Sequence, residues 1–153
     1  MTVTFALKSA DHKRGFFDRE RIMKSVDKAK RDNLSKWGAF TRKGAIWSLR
    51  RRKKASPPGQ PPSIHYKGSG GSDNGLKAIF FSYEEARSSV VVGPVRFNRK
   101  SNPTVPELME HGGVSRPGPG KQPGRYPKRP FMAPAAERTN AQLEKLWKNS
   151  IKA

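Results

Sequence analysis

Apolar residues recur along the chain with two different periods. Val3, Phe5 and Leu7 alternate with Thr2, Thr4 and Ala6. That period of two predicts a short N-terminal strand or arm over residues 1–15. From residue 18 the spacing changes. Ile22, Val26, Ala29, Trp37, Phe40 and Trp47 fall near one face of a helix, and the outward face is mostly Lys and Arg. The pattern predicts a long basic helix over 18–54, with Asp18 as N-cap. Its length would be roughly 50 Å at about 1.5 Å per residue. Asn33 and Gly44 interrupt the apolar stripe. Gly38 and Gly44 each cost about 1 kcal/mol relative to Ala inside a helix, so they mark the points most open to a kink or break.

Residues 55–75 read as a loop. Ser56-Pro-Pro-Gly-Gln-Pro-Pro62 cannot continue a helix, because proline lacks the amide donor and clashes with the preceding turn. Lys67-Gly-Ser-Gly-Gly-Ser72 is flexible by composition. The runs at 76–82 and 88–93 are rich in β-branched and aromatic residues, and they predict an antiparallel hairpin over 76–97, with Gly93-Pro94 as a bulge or strand end. Residues 98–133 read as loops and an arm. They are interrupted by one or two helical turns from Pro103 to Glu110, where Thr104 caps, Pro106 suits the first turn and His111-Gly-Gly113 stops the helix. A closing helix over 134–151 carries Ala136, Leu143, Trp147 and Ile151 on one stripe. The expected fold is a single α+β domain over 1–153. It has a long N-terminal helix, a small antiparallel sheet of about three or four strands, a C-terminal helix and extended Pro/Gly-rich loops.

Charge sharpens this picture. There are 32 Lys and Arg against 12 Asp and Glu, a net charge of +20. The first 54 residues hold 17 basic and 5 acidic side chains, residues 55–98 hold 4 and 3, and residues 99–153 hold 11 and 4. The nearly neutral middle is therefore the best candidate for buried structure, and the flanks are drawn to polyanions. Only 33% of residues are hydrophobic, so the core is small. With no cysteine, disulfides, thiolate zinc sites and cysteine nucleophiles are excluded. No apolar stretch approaches the roughly 20 residues of a membrane span, and the first eight residues lack a signal-peptide pattern. The expected location is the cytoplasm, or a particle assembled there, with no membrane partner.

Few residues offer chemistry. Arg50-Arg-Arg-Lys-Lys54 is either a phosphate-gripping run or a solvated helix end, where cations meet the negative helix terminus. Arg125, Lys128 and Arg129 form a second basic group. The Lys67–Ser72 run lacks the Gly-Lys-Ser/Thr ending of a phosphate loop. Glu107, Glu110 and His111 lack the second histidine of a zinc motif, and His12 and His65 have no partner in sequence. No paired carboxylates or serine elbow stand out, so no enzyme and no cofactor are expected. Trp37, Trp47 and Trp147 lie on the predicted stripes. They are either core residues or interface anchors, and Phe131 and Met132 are further candidate anchors.

A family resemblance rests on an ordered series of segments. It runs from Gly15-Phe-Phe-Asp18 before the basic helix, through Ser56-Pro-Pro-Gly-Gln-Pro-Pro62, Ser63-Ile-His65, Leu76-Lys-Ala-Ile-Phe-Phe81 and Ser89-Val-Val-Val-Gly-Pro94. It continues with Pro106-Glu-Leu-Met-Glu-His-Gly-Gly113 and Arg129-Pro-Phe-Met-Ala-Pro-Ala135. In that order the chain resembles the small tail-completion or head–tail joining (neck) proteins of long-tailed bacteriophages, over about residues 15–150. The resemblance implies a non-enzymatic virion subunit at the neck or tail end, assembled in the host cytoplasm as a homo-oligomeric, sixfold ring. Its implied partners are other neck proteins and the tail-tube protein, with transient contact to packaged DNA. The chain departs from the family at 114–128, where a longer strand-forming insert is replaced by a short Gly/Pro-rich segment. A basic nucleic-acid-binding protein is the alternative reading.

Overall fold

The computed structural model describes residues 19–64, 75–95, 103–115, 122–148 and 150. The expected N-terminal strand, Asp18, the Lys67–Ser72 run, His12, His65 and Ile151 lie outside the described residues. The fold is α+β, as the periodicities predict. Helix α1 (Arg19–Ser48) is followed by the hairpin strands β1 (Ile79–Glu84) and β2 (Ser89–Pro94). Next come a short helix α2 (Val105–His111), a two-residue ladder of β3 (Gly113–Val114) with β4 (Arg125–Tyr126), and helices α3 (Ala133–Asn140) and α4 (Leu143–Trp147). Among the described residues, the strands form two separate antiparallel pairs rather than one sheet. The ladder of β3 with β4 occupies ground expected to be loop.

Helix α1 runs unbroken through Gly38 and Gly44 for 30 residues, about 45 Å. Its buried positions are Ala29, Asn33, Gly38, Thr41 and Ala45. These small residues let neighbouring elements approach the backbone, which offsets the glycine propensity cost. A Cβ at Gly38 would lie 2.8 Å from Phe81 Cδ2 and 2.9 Å from Val90 Cγ2, so the hairpin rests directly on the helix there. At Gly44 a Cβ would meet Ala135 Cβ at 3.6 Å. The helix stops at Ser48, not at 54. The Ser48 hydroxyl donates to the Ala45 carbonyl, Leu49 turns into the core, and the Arg50 carbonyl accepts the Ile64 amide at 3.1 Å. Arg51 then pairs with Ile64 in an isolated parallel bridge. Pairing with the returning chain thus replaces the helical bonds that 49–54 would have made.

The hairpin pairs Ile79 with Pro94 through Glu84 with Ser89 in unbroken register, so Gly93-Pro94 is a strand end and no bulge. Its four-residue loop closes through the Ser88 amide on the Glu85 carbonyl, with Ser88 left-handed at φ 47°. Arg42 donates through Nε to the Ile79 carbonyl at 2.6 Å and ties β1 to α1. The core gathers Ala45, Leu49, Ile79, Phe131 and Ala135, flanked by half-buried Ile46, Ile64, Leu76, Val92, Met109 and Met132. Phe131 is 1% exposed, so it is a core residue rather than an interface anchor, and Met132 packs against the same cluster.

Helix α2 matches its predicted signals. The Thr104 amide donates to Glu107 Oε2, Pro106 sits in the first turn, and Gly112 closes the helix at φ 74°. The expected C-terminal helix divides into α3 and α4 at Ala141–Gln142. Its inward positions are Ala135 and Thr139, not the Ala136–Leu143–Trp147 stripe. Helix α3 runs antiparallel to α1, with Ala135 beside Gly44 at one end and Asn140 Oδ1 accepting from Trp37 Nε1 at 2.9 Å at the other.

Candidate interaction surface

The two basic groups, about 75 residues apart in sequence, meet across one loop. Pro57-Pro58-Gly59-Gln60 forms a tight turn: the Gln60 amide donates to the Pro57 carbonyl, and Gly59 adopts φ 81°. Proline and then a positive-φ glycine at the two central positions is the type II requirement. The turn docks on the later segment, with the Gly59 amide on the Lys128 carbonyl at 2.8 Å and Arg129 Nε on the Ser56 carbonyl at 2.9 Å. Arg52 reaches Gln60 Oε1 at 3.2 Å. Arg50, Arg51, Lys53, Lys54, Arg125 and Lys128 are exposed, while Arg52 and Arg129 are half-buried and hold the loop. Among the described residues, no carboxylate ion-pairs with any of these cations, so the surface keeps its full positive charge. The run at 50–54 lies outside α1, beginning two residues past its end at Ser48, and bends at Lys53–Lys54.

Glu110 has a structural task that its sequence context did not reveal. Its carboxylate accepts the amides of Phe131, Met132 and Ala133 at 2.9, 3.0 and 2.8 Å. These are the free donors at the start of α3, so Glu110 caps that helix from another element. The Arg129 amide on the Met109 carbonyl, at 2.7 Å, adds to the same junction. Among the described residues no group of three or more His, Cys, Asp or Glu is arranged to hold a metal ion.

The apolar stripe of α1 is real, but this chain covers only part of it. Trp37 is half-buried beside α3, whereas Phe40 is exposed and Trp47 is 69% exposed, its ring under Lys43 Nζ at 4.8 Å. At about 100° per residue, Trp47 points some 180° around the helix from Gly38, away from the hairpin. The hairpin has a second uncovered face. Ile79, Phe81, Tyr83, Val90 and Val92 share the side turned to α1; Phe80 and Val91 share the other and are 61% and 62% exposed. Two apolar surfaces therefore face opposite ways from the α1–hairpin layer. Trp147, the third candidate anchor, lies on α4 at the edge of exposure.

The architecture defines a small basic α+β protein with exposed apolar side chains. No protein-family model, curated protein or solved structure matches the chain. Among the described residues, no helix is long and apolar enough to cross a membrane.

Proposed function

We propose that this chain is a non-enzymatic structural subunit that completes its burial by assembling with copies of itself. The particular assembly is a ring at the neck or tail end of a long-tailed phage particle, as a tail-completion or head–tail joining protein. The observation that carries the reading is the pair of oppositely directed apolar surfaces, Phe40 with Trp47 on α1 and Phe80 with Val91 on the hairpin. Large exposed apolar side chains of this kind mark association surfaces. Two different surfaces on opposite sides suit head-to-tail contacts, which close into a ring when the rotation allows. The ordered sequence segments supply the phage neck as the setting, the virion as the location, and neck and tail-tube proteins as partners.

Negative-stain imaging of the purified protein, alone and with tail tubes, tests this. Closed rings or capped tube ends are expected. A protein that stays monomeric across concentration and never associates with tubes overturns it. A second reading, nucleic-acid binding, is favoured by the junction of 50–54 with 125–129 across the 56–60 turn. It predicts oligonucleotide affinity that falls steeply with salt. In a ring the two readings combine if this surface lines the passage taken by packaged DNA.

A further inference from the structure

We propose that the cleft between the first half of α1 and the end of α4 is a phosphate-binding site, separate from the basic surface at 50–54 and 125–129. The cleft has a volume of about 430 Å³, and its walls include Lys28, Asp32, Asn33, Lys36, Lys148 and Ser150. Two features make it more than a group of surface lysines.

The first is Asn33. The residue is 2% exposed, and its amide nitrogen Nδ2 is buried without any hydrogen-bond acceptor. A buried donor left unsatisfied is costly, and native proteins keep few of them. Here it lines a cleft roomy enough for a ligand. The buried Ser150 hydroxyl, from the opposite wall, is also without a partner. The second feature is charge. Three lysines, Lys28 and Lys36 on α1 and Lys148 just beyond α4, line the cleft with a single carboxylate, Asp32, and none of the three is ion-paired with it. The donors thus outnumber the acceptors, and the charge balance is positive. An amide N–H, a hydroxyl and three ammonium groups suit a compact oxyanion carrying about two negative charges. Phosphate supplies that charge together with several acceptor oxygens. Bound there, it would accept from Asn33 and bridge α1 to Lys148 and Ser150 beyond α4, a helix with no buried residue of its own.

Phosphate can arrive as the free ion or within a nucleic-acid backbone, and the experiment separates the two. Thermal unfolding and calorimetric titration are run with inorganic phosphate against sodium chloride at matched ionic strength. The full chain, K28Q/K36Q/K148Q and K53Q/K54Q are compared. The three cleft lysines are exposed, so the triple variant should keep the wild-type circular dichroism spectrum and its melting temperature in chloride. The expected result is a saturable phosphate-dependent rise in melting temperature for the full chain and K53Q/K54Q. The triple variant should weaken phosphate binding by at least about tenfold, the scale for losing charge-assisted hydrogen bonds. Asn33→Asp, which replaces the donor with a carboxylate, should likewise lose the response. A rise that chloride reproduces, or one that survives in the triple variant, overturns the site. If a short oligonucleotide also loses about tenfold in affinity for the triple variant, the phosphate is that of nucleic acid. If oligonucleotide affinity is unchanged while the inorganic phosphate response is lost, the ligand is the free ion. These outcomes are independent of ring formation, so the site and the assembly reading fail separately.

Discussion

Replacing Gly38 and Gly44 by alanine tests whether the hairpin truly sits on the helix backbone. Both residues lie inside α1, so each substitution gains about 1 kcal/mol of helix propensity. At Gly44 nothing opposes that gain. The new Cβ would touch Ala135 Cβ at 3.6 Å, an ordinary contact. At Gly38 the Cβ would sit 2.8 Å from the Phe81 ring and 2.9 Å from a Val90 methyl. Neither neighbour is the free end of a flexible chain: one is an aromatic ring and the other a β-branched side chain fixed in β2. The hairpin must lift, and overpacking of this kind costs about 1–3 kcal/mol. Because the propensity gain is common to both variants, their difference isolates the steric term. Gly44→Ala should be stabilised by up to about 1 kcal/mol. Gly38→Ala should be less stable than Gly44→Ala by about 1–3 kcal/mol. For a chain of this length each kcal/mol is about 2–4 °C in Tm. Urea unfolding followed by far-ultraviolet circular dichroism gives both values, and equal m-values would confirm that the denatured state is unchanged. Trimming the obstacle with Phe81→Ala should make Gly38→Ala less harmful, seen as a coupling in the double-mutant cycle. Equal stabilisation by the two alanines, with no coupling to Phe81, would refute the contact.

Other outcomes follow from single residues. Glu110→Ala removes the acceptor for three amides at the start of α3 and should cost about 2 kcal/mol, the upper range for a missing cap, read as a drop in Tm. Phe131→Ala empties the centre of the core and should cost about 3–5 kcal/mol in urea unfolding. Lys53→Gln with Lys54→Gln should leave stability within about 0.5 kcal/mol. The same pair should reduce the slope of log affinity for oligonucleotide against log salt by up to about 0.9 for each phosphate that these two ammonium groups neutralise.

Much of the fold was legible because local signals agreed with one another. Thr104, Pro106 and Gly112 fixed α2 almost to the residue, and the β-branched runs fixed the hairpin. What could not be read was which face of α1 is inside. The periodic apolar residues pointed to Ile22, Phe40 and Trp47, yet the buried line passes through Gly38, Thr41 and Ala45. Hydrophobicity marks residues that want a partner, whereas close packing against a hairpin selects small ones. The same conflict moved Phe131 from the surface to the core: Arg129-Pro-Phe-Met-Ala-Pro134 carries no periodicity to place it. The cap by Glu110 and the meeting of the two basic groups depend on pairings across more than 20 and 70 residues. No local pattern encodes such distances. Asn33 is the clearest case. In the sequence it interrupts a stripe; in the fold it lines a cleft with its donor unsatisfied.

The disposition of the uncovered surfaces makes head-to-tail assembly directly testable. If Phe40 and Trp47 of one copy meet Phe80 and Val91 of the next, each subunit uses two different faces. F40S/W47S destroys one and F80S/V91S destroys the other. All four side chains are exposed in the single chain, so each double variant should fold with a stability within about 1 kcal/mol of the parent. Each alone should be monomeric in light scattering after size-exclusion chromatography, because every junction needs one of each face. Mixed in equal amounts, they should form a dimer and nothing larger: one intact face on each partner makes a single junction and leaves both ends blocked. A symmetric interface, with each patch meeting its own copy, gives another pattern. Each variant would then retain its own intact patch and dimerise with itself, and mixing would add nothing. Self-association of either variant alone, or two monomers that ignore each other when mixed, rules out head-to-tail assembly through these surfaces.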